Sequence, residues 1–144
     1  MVEHGDGGFV VEGGDVKIEA FDVPHRDIKP AFGSRITTPD KVVVISGDTN
    51  YSEKLSEMAK GADIVVHEVI CQAGLDGLSQ FWQDYHNHAH TTTGELAKIA
   101  NAAKPGKLVL THLLLYGQSV EQVLKEIRAE YPGGVVAAKD LDIF

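Results

Sequence analysis

The chain is poor in sulfur and in positive charge: its 144 residues include one cysteine, two methionines and only 13 Lys and Arg against 21 Asp and Glu. A lone thiol, Cys71, cannot close an internal disulfide. That excludes a disulfide-stapled scaffold and sets a reducing, cytoplasmic compartment as the expectation. The net charge of −8 argues against broad binding of phosphate backbones by this chain alone. A nucleic-acid substrate gripped by a basic patch elsewhere stays open. No apolar run approaches the roughly 20 residues that span a bilayer; the longest, at 108–110 and 113–115, are very short, so no membrane partner is expected. The opening MVEHGDGGF lacks the basic-then-apolar pattern of a signal peptide.

What is present is ordinary globular composition, 43% hydrophobic and 24% charged, in a length suited to one domain or part of one. Short strands are expected at 9–11, 16–23 and 35–37, divided by glycine and proline turns. Residues 42–45 (VVVI) form a β-branched run of the kind buried on both faces of a sheet. A helix is expected over 52–60, stopped by Gly61, and a second buried strand over 63–66. Residues 71–90, rich in Gly, Gln, Asn and aromatics, read as loop. Thr91 or Thr92 with Glu95 makes a capping box for a helix over 93–103. A strand at 108–110, a helix over 119–131 and strands near Val135 and Leu141 complete an α/β layered pattern.

Buried strands in this reading end at Asp48, at His67-Glu68 and at His112, and an earlier one ends at His25. Ligands of open α/β sheets sit outside the carboxyl ends of the strands. Imidazole and carboxylate donors together suit zinc or a similar divalent ion. Spacing alone carries this only part of the way, since there is no HExxH and no CxxC pair.

The order of motifs adds more. Val23-Pro24-His25, Ser46-Gly47-Asp48-Thr49, His67-Glu68-Val69, Tyr85-His86, His90-Thr91-Thr92 running into ELAKIA, Leu110-Thr111-His112 and the terminal Lys139-Asp140-Leu141-Asp142, expected as a strand, follow one another over most of the chain. Together they resemble the ribonuclease Z-like branch of the metallo-β-lactamase superfamily. The resemblance implies half of an αββα sandwich: a mixed sheet with helices on its outer face, residues 1–144 forming the C-terminal portion of the domain. It implies a dinuclear zinc site, with manganese as an alternative, in which Asp48 bridges both ions, His25 ligates one and His112 the other. Water activated there would cleave an ester, a phosphodiester foremost, with RNA as a candidate substrate. Glu68 would support His90, which would protonate the leaving oxygen.

Other residues have plainer readings. His86 and His88 read as rim or structural residues, His67 as packing behind the site, and His4 as part of a loose terminus. Phe81, Trp82 and Tyr85 either line a substrate pocket or anchor their loop to the core. Cys71 reads as a buried inert thiol, and Glu121, Glu126 and Glu130 as a solvated helix face.

The superfamily's principal metal motif, HxHxDH, does not occur in these residues. A shared Asp48 plus one histidine per ion falls short of the three protein ligands a catalytic zinc normally takes. Weak metal binding and little activity are expected of these residues alone. Half a sandwich would also expose an apolar sheet face, with Val42, Val44, Ile64 and Val66 needing cover from a homo-oligomer or from an N-terminal half. The alternatives are a non-catalytic oligomerising half-domain, or a sulfatase- or lactonase-like hydrolase.

Overall fold

The computed structural model describes residues 2–3 and 9–144, with side chains from residue 10 onward; His4 lies outside them. One eight-stranded sheet runs in chain order: β1 (Val2–Glu3), β2 (Phe9–Gly13), β3 (Val16–Asp22), β4 (Phe32–Thr37), β5 (Val42–Ile45), β6 (Ile64–Ile70), β7 (Lys107–Leu114) and β8 (Val135–Ala137). Strands β1 to β5 pair antiparallel. From β5 to β8 the pairing is parallel, because each of these strands is reached through helical crossovers rather than a hairpin.

The crossovers are α1 (Glu53–Met58) before β6, then α2 (Gln72–Asp76), α3 (Gln80–Asn87) and α4 (Thr93–Ala103) before β7, and α5 (Val120–Glu130) before β8. Their starts follow local chemistry. The Ser52 side chain accepts from Leu55 N at the start of α1. Thr92 and Glu95 close the expected capping box on α4. Ser119 caps α5.

Residues aligned across neighbouring strands share a face. One face carries Val44, Val65, Leu108 and Val135, all buried against Leu55 of α1, Leu96 of α4, and Val123 and Ile127 of α5. The opposite face carries Ile18, Ile36, Val43, Ile45, Ile64 and Val66, none of them buried, with Ile45 38% exposed. Strand β5 is therefore covered on one side only. Of the residues expected to need cover, Ile64 and Val66 do lie on this open face. Val44 is fully buried on the helix side, and Val42 packs against that same core, because the two-residue strand period sends 42 and 44 one way and 43 and 45 the other.

Other expectations are corrected. Residues 71–90 are not a loop but hold α2 and α3; both are too short to show a clear helical period in sequence. No strand forms at Leu141: residues 139–142 are a turn in which Lys139 N donates to Asp142 Oδ2 at 2.9 Å. Glu126 is no solvated residue. Its carboxylate accepts from Gln72 N at 3.0 Å, Ala73 N at 3.1 Å, Thr93 Oγ1 at 2.7 Å and Gln122 Nε2 at 2.8 Å. It thus caps α2 from α5. Burial alone would raise its pKa, but these donors outweigh burial and hold it below the usual carboxylate range. Glu121 and Glu130 are exposed, as expected.

Candidate metal and acid–base site

Two strands run further than their apolar cores suggest, and this moves the candidate residues. β6 continues through His67 and Glu68 to Ile70, and β7 continues through His112 to Leu114. Neither pair of residues lies beyond a strand end. Within the β6–β7 ladder Glu68 aligns with Thr111 and Val69 with Leu113, so His112 has no partner. It is the extra residue of a bulge and sits at φ 42°. A bulge re-aims the side chain it carries. Here it brings His112 Nε2 to 3.7 Å from Asp48 Oδ2, both side chains being half exposed.

Asp48 is placed by the glycine before it. Gly47 adopts φ +64°, and a Cβ there would lie 2.4 Å from the carbonyl oxygen of Phe32. Only glycine fits that left-handed, crowded turn. Thr49 then ties the loop down. Its hydroxyl donates to Asn50 O at 2.7 Å and lies 3.2 Å from Pro24 O, and its own carbonyl accepts from Thr91 Oγ1 at 2.7 Å. The segments carrying His25, Asp48 and His90 are held together at this one residue.

Glu68 is buried beneath them. Its Oε1 accepts from Thr49 N at 3.3 Å and Thr91 N at 3.0 Å, and lies 3.4 Å from His90 Nδ1. The last distance is that of an ion pair but lacks hydrogen-bond geometry, and both His90 Nδ1 and Glu68 Oε2 are buried without a hydrogen-bond partner. Such orphaned polar atoms are rare in folded proteins and cluster where function demands them.

His25 Nδ1 lies 2.8 Å from Ala89 O. A carbonyl only accepts, so Nδ1 carries the proton and Nε2 holds the lone pair. That is the tautomer of a metal-ligating histidine whose other nitrogen is anchored by backbone. The His25 and His90 ring centres are 5.4 Å apart, and those of His90 and His112 5.7 Å. The donor chemistry therefore fits a divalent ion, while the donor number does not: among the described residues no three His, Cys, Asp or Glu side chains gather closely enough to hold one. The structure pairs Asp48 with His112 and places His25 beside His90; it does not draw His25, Asp48 and His112 into one shell.

The remaining histidines divide. His67 is buried with Nδ1 2.6 Å from Glu68 O, its pKa lowered by burial despite the neighbouring Glu68. His88 is exposed, its Nδ1 2.6 Å from Asp84 O. His86, read as a rim residue, is buried: Nε2 pairs with Tyr116 Oη at 2.8 Å, and its ring centre lies 5.7 Å from that of His90. Tyr116 is a contributor that sequence reading passed over; a lone tyrosine after LTHLLL carries no motif. Cys71 is buried, and burial pushes its thiol up.

Comparison with known proteins agrees with this geometry. The family model described as "Beta-lactamase superfamily domain" matches residues 2–113. The chain belongs to the beta-lactamase superfamily. It is 33% identical over 105 residues to a ribonuclease Z of an Exiguobacterium species, covering 72% of this chain and 33% of that protein. A ribonuclease Z of Mycobacterium tuberculosis is 32% identical over 128 residues, covering 88% of this chain and 47% of that one. Among solved structures, the metallo-beta-lactamase fold protein YhfI of Bacillus subtilis superposes with a TM-score of 0.75 at 25% identity, over 91% of this chain and 49% of that one. Human tRNase Z, short form, superposes at 0.66 with 22% identity, over 96% and 46%. This superfamily member thus spans between about one third and one half of these proteins. No helix among the described residues is long and apolar enough to cross a membrane.

Proposed function

We propose that residues 1–144 form the C-terminal portion of a metallo-β-lactamase-fold hydrolase that cleaves a phosphodiester, with RNA as the substrate class. The observation that carries this reading is the Asp48–His112 pair at 3.7 Å, set beside His25 in its ligating tautomer. Asp48 and His112 would hold one divalent ion, and Asp48 with His25 a second, with further ligands supplied from outside the described residues. Two zinc ions suit these donors, and manganese is the alternative. Bound there, the ions would supply an acidified water and neutralise charge on the phosphate.

This chain's own residues do the proton work. Glu68, fixed by Thr49 N and Thr91 N, orients the His90 ring. His90, protonated against that carboxylate, delivers its proton to the leaving oxygen. The ribonuclease Z relatives support the phosphodiester assignment, and the partial coverage of their length supports completion by an N-terminal half.

The test is hydrolysis of bis(p-nitrophenyl) phosphate by this chain joined to an N-terminal half bearing HxHxDH. Zinc-dependent turnover is expected. Asp48→Ala should abolish it, and Glu68→Gln should lower it by about 10²- to 10⁴-fold with zinc content unchanged. No metal-dependent turnover in the joined protein refutes the reading.

The open sheet face supports a second reading, a non-catalytic half-domain that oligomerises through Ile45, Val66 and their neighbours. Sedimentation separates the two. A stable homo-oligomer dispersed by Ile45→Lys, with no turnover after completion, favours this alternative.

A further inference from the structure

The aromatic residues of α3 neither anchor it to the core nor close over a cavity. Phe81 is 69% exposed and Trp82 48% exposed. They head an unbroken series of ring contacts leading to the candidate site. Phe81 meets Trp82 edge-on at 5.3 Å, Trp82 stacks on His86 at 5.8 Å with 24° between planes, and His86 meets His90 at 5.7 Å. On the other side, the guanidinium carbon of Arg26 lies 4.2 Å from the centre of the Tyr85 ring. Arg26 N also donates to His88 O at 3.1 Å, which fastens the loop after His25 to the end of α3. Arg26, Phe81, Asp84, Tyr85 and His88 line a recess of about 220 Å³ open to solvent.

Planar groups gathered at a surface, with a cation among them, take planar π-rich ligands. An apolar protein partner would want aliphatic cover as well, and the recess is lined instead by rings, a guanidinium, a carboxylate and an imidazole. Its position narrows the ligand. Arg26 follows His25 directly in the chain, and Trp82 connects through His86 to His90, so a group seated here is attached to whatever occupies the site. We infer that Phe81, Trp82 and Arg26 form a stacking site for a nucleobase next to the scissile phosphodiester. The inference rests on the phosphodiesterase reading and assigns it a single-stranded nucleotide as substrate, held by base stacking at a surface whose overall charge is negative.

Trp82 is the only tryptophan of the chain, so its fluorescence, excited at 295 nm, reports on this spot alone. The 144-residue chain is titrated with adenosine 5′-monophosphate and, separately, with ribose 5-phosphate, which carries the same charge and no base. Saturable quenching by the nucleotide and none by the sugar phosphate is expected. Phe81→Ala and Arg26→Ala, both exposed positions, should each weaken the nucleotide by about fivefold or more, the loss of one stacking partner. Equal responses to the two ligands, no quenching by the nucleotide, or affinity unchanged in both variants overturns the inference. Binding needs neither metal nor turnover. An inert joined protein that still shows nucleotide quenching sinks the hydrolase reading alone, whereas an active one without quenching sinks the stacking site alone.

Discussion

His112 reaches Asp48 at 3.7 Å because β7 carries one residue more than the strand it pairs with. Without the bulge, strand alternation would set the side chain at 112 on the opposite face from its neighbour Thr111, in ladder with β6. The positive φ of 42° at His112 is the local cost of that extra residue. A ligand pair built this way depends on register as much as on residue identity.

Asp48→Ala and His112→Ala should therefore each weaken zinc binding by the joined protein by more than about 100-fold, beyond the range of second-shell changes. Deleting Leu113 to remove the bulge should do the same while leaving Asp48 and His112 in place. Calorimetric titration measures all three. Zinc affinity unchanged in the deletion variant would show that the bulge is incidental.

Gly47→Ala puts a methyl 2.4 Å from Phe32 O at φ +64°. A loss of about 1–3 kcal/mol in urea unfolding is expected, with displacement of the Asp48 loop. Gly61, also at positive φ but with open space around it, is the control, and Gly61→Ala should cost less.

Glu126→Ala removes acceptors from two backbone N–H groups at the start of α2, from Thr93 and from Gln122. Unpaired donors there should lower stability by about 1–3 kcal/mol. The folded-state pKa of Glu126 is depressed, so its contribution is complete above the unfolded carboxylate value and is lost as pH falls through the folded one. Wild type and Glu126→Ala should converge in melting temperature at low pH. A constant gap down to pH 3 contradicts this.

His67 and His86 are both shifted down, by burial first, with the neighbouring His90 adding to the shift at His86 and Glu68 opposing it at His67. For a histidine held neutral, the unfolded chain takes up the proton that the folded chain refuses. Stability is then full above the unfolded value near 6.5 and declines as pH falls below it, by at most about 1.4 kcal/mol per pH unit for each group. Melting temperature should drop between pH 7 and 5, and His86→Gln should flatten that slope. A flat profile over this interval removes the burial argument for both residues.

Much of the molecule was legible because its signals are local. The β-branched run at 42–45, the Ser52 and Ser119 caps, the Thr92–Glu95 box and the stop at Gly61 each depend on residues within a few positions of one another. The motif order from His25 to His112 likewise stood in the sequence and led to the right superfamily. Helices α2 and α3 did not show, since five and eight residues complete too few turns for apolar periodicity to emerge. Glu126 was misread for a related reason: a glutamate on a helix looks solvated until another helix's N-terminus is placed against it.

The sequence by itself determined which groups were available, namely one loop aspartate, several imidazoles and a glutamate beside β-branched strands. Only the tertiary structure decided which of them meet. The bulge at His112, the left-handed turn at Gly47 and the three-way tie at Thr49 are relations between distant segments. Such relations arise when parallel pairing and helix packing are satisfied together, and no window of neighbouring residues contains them.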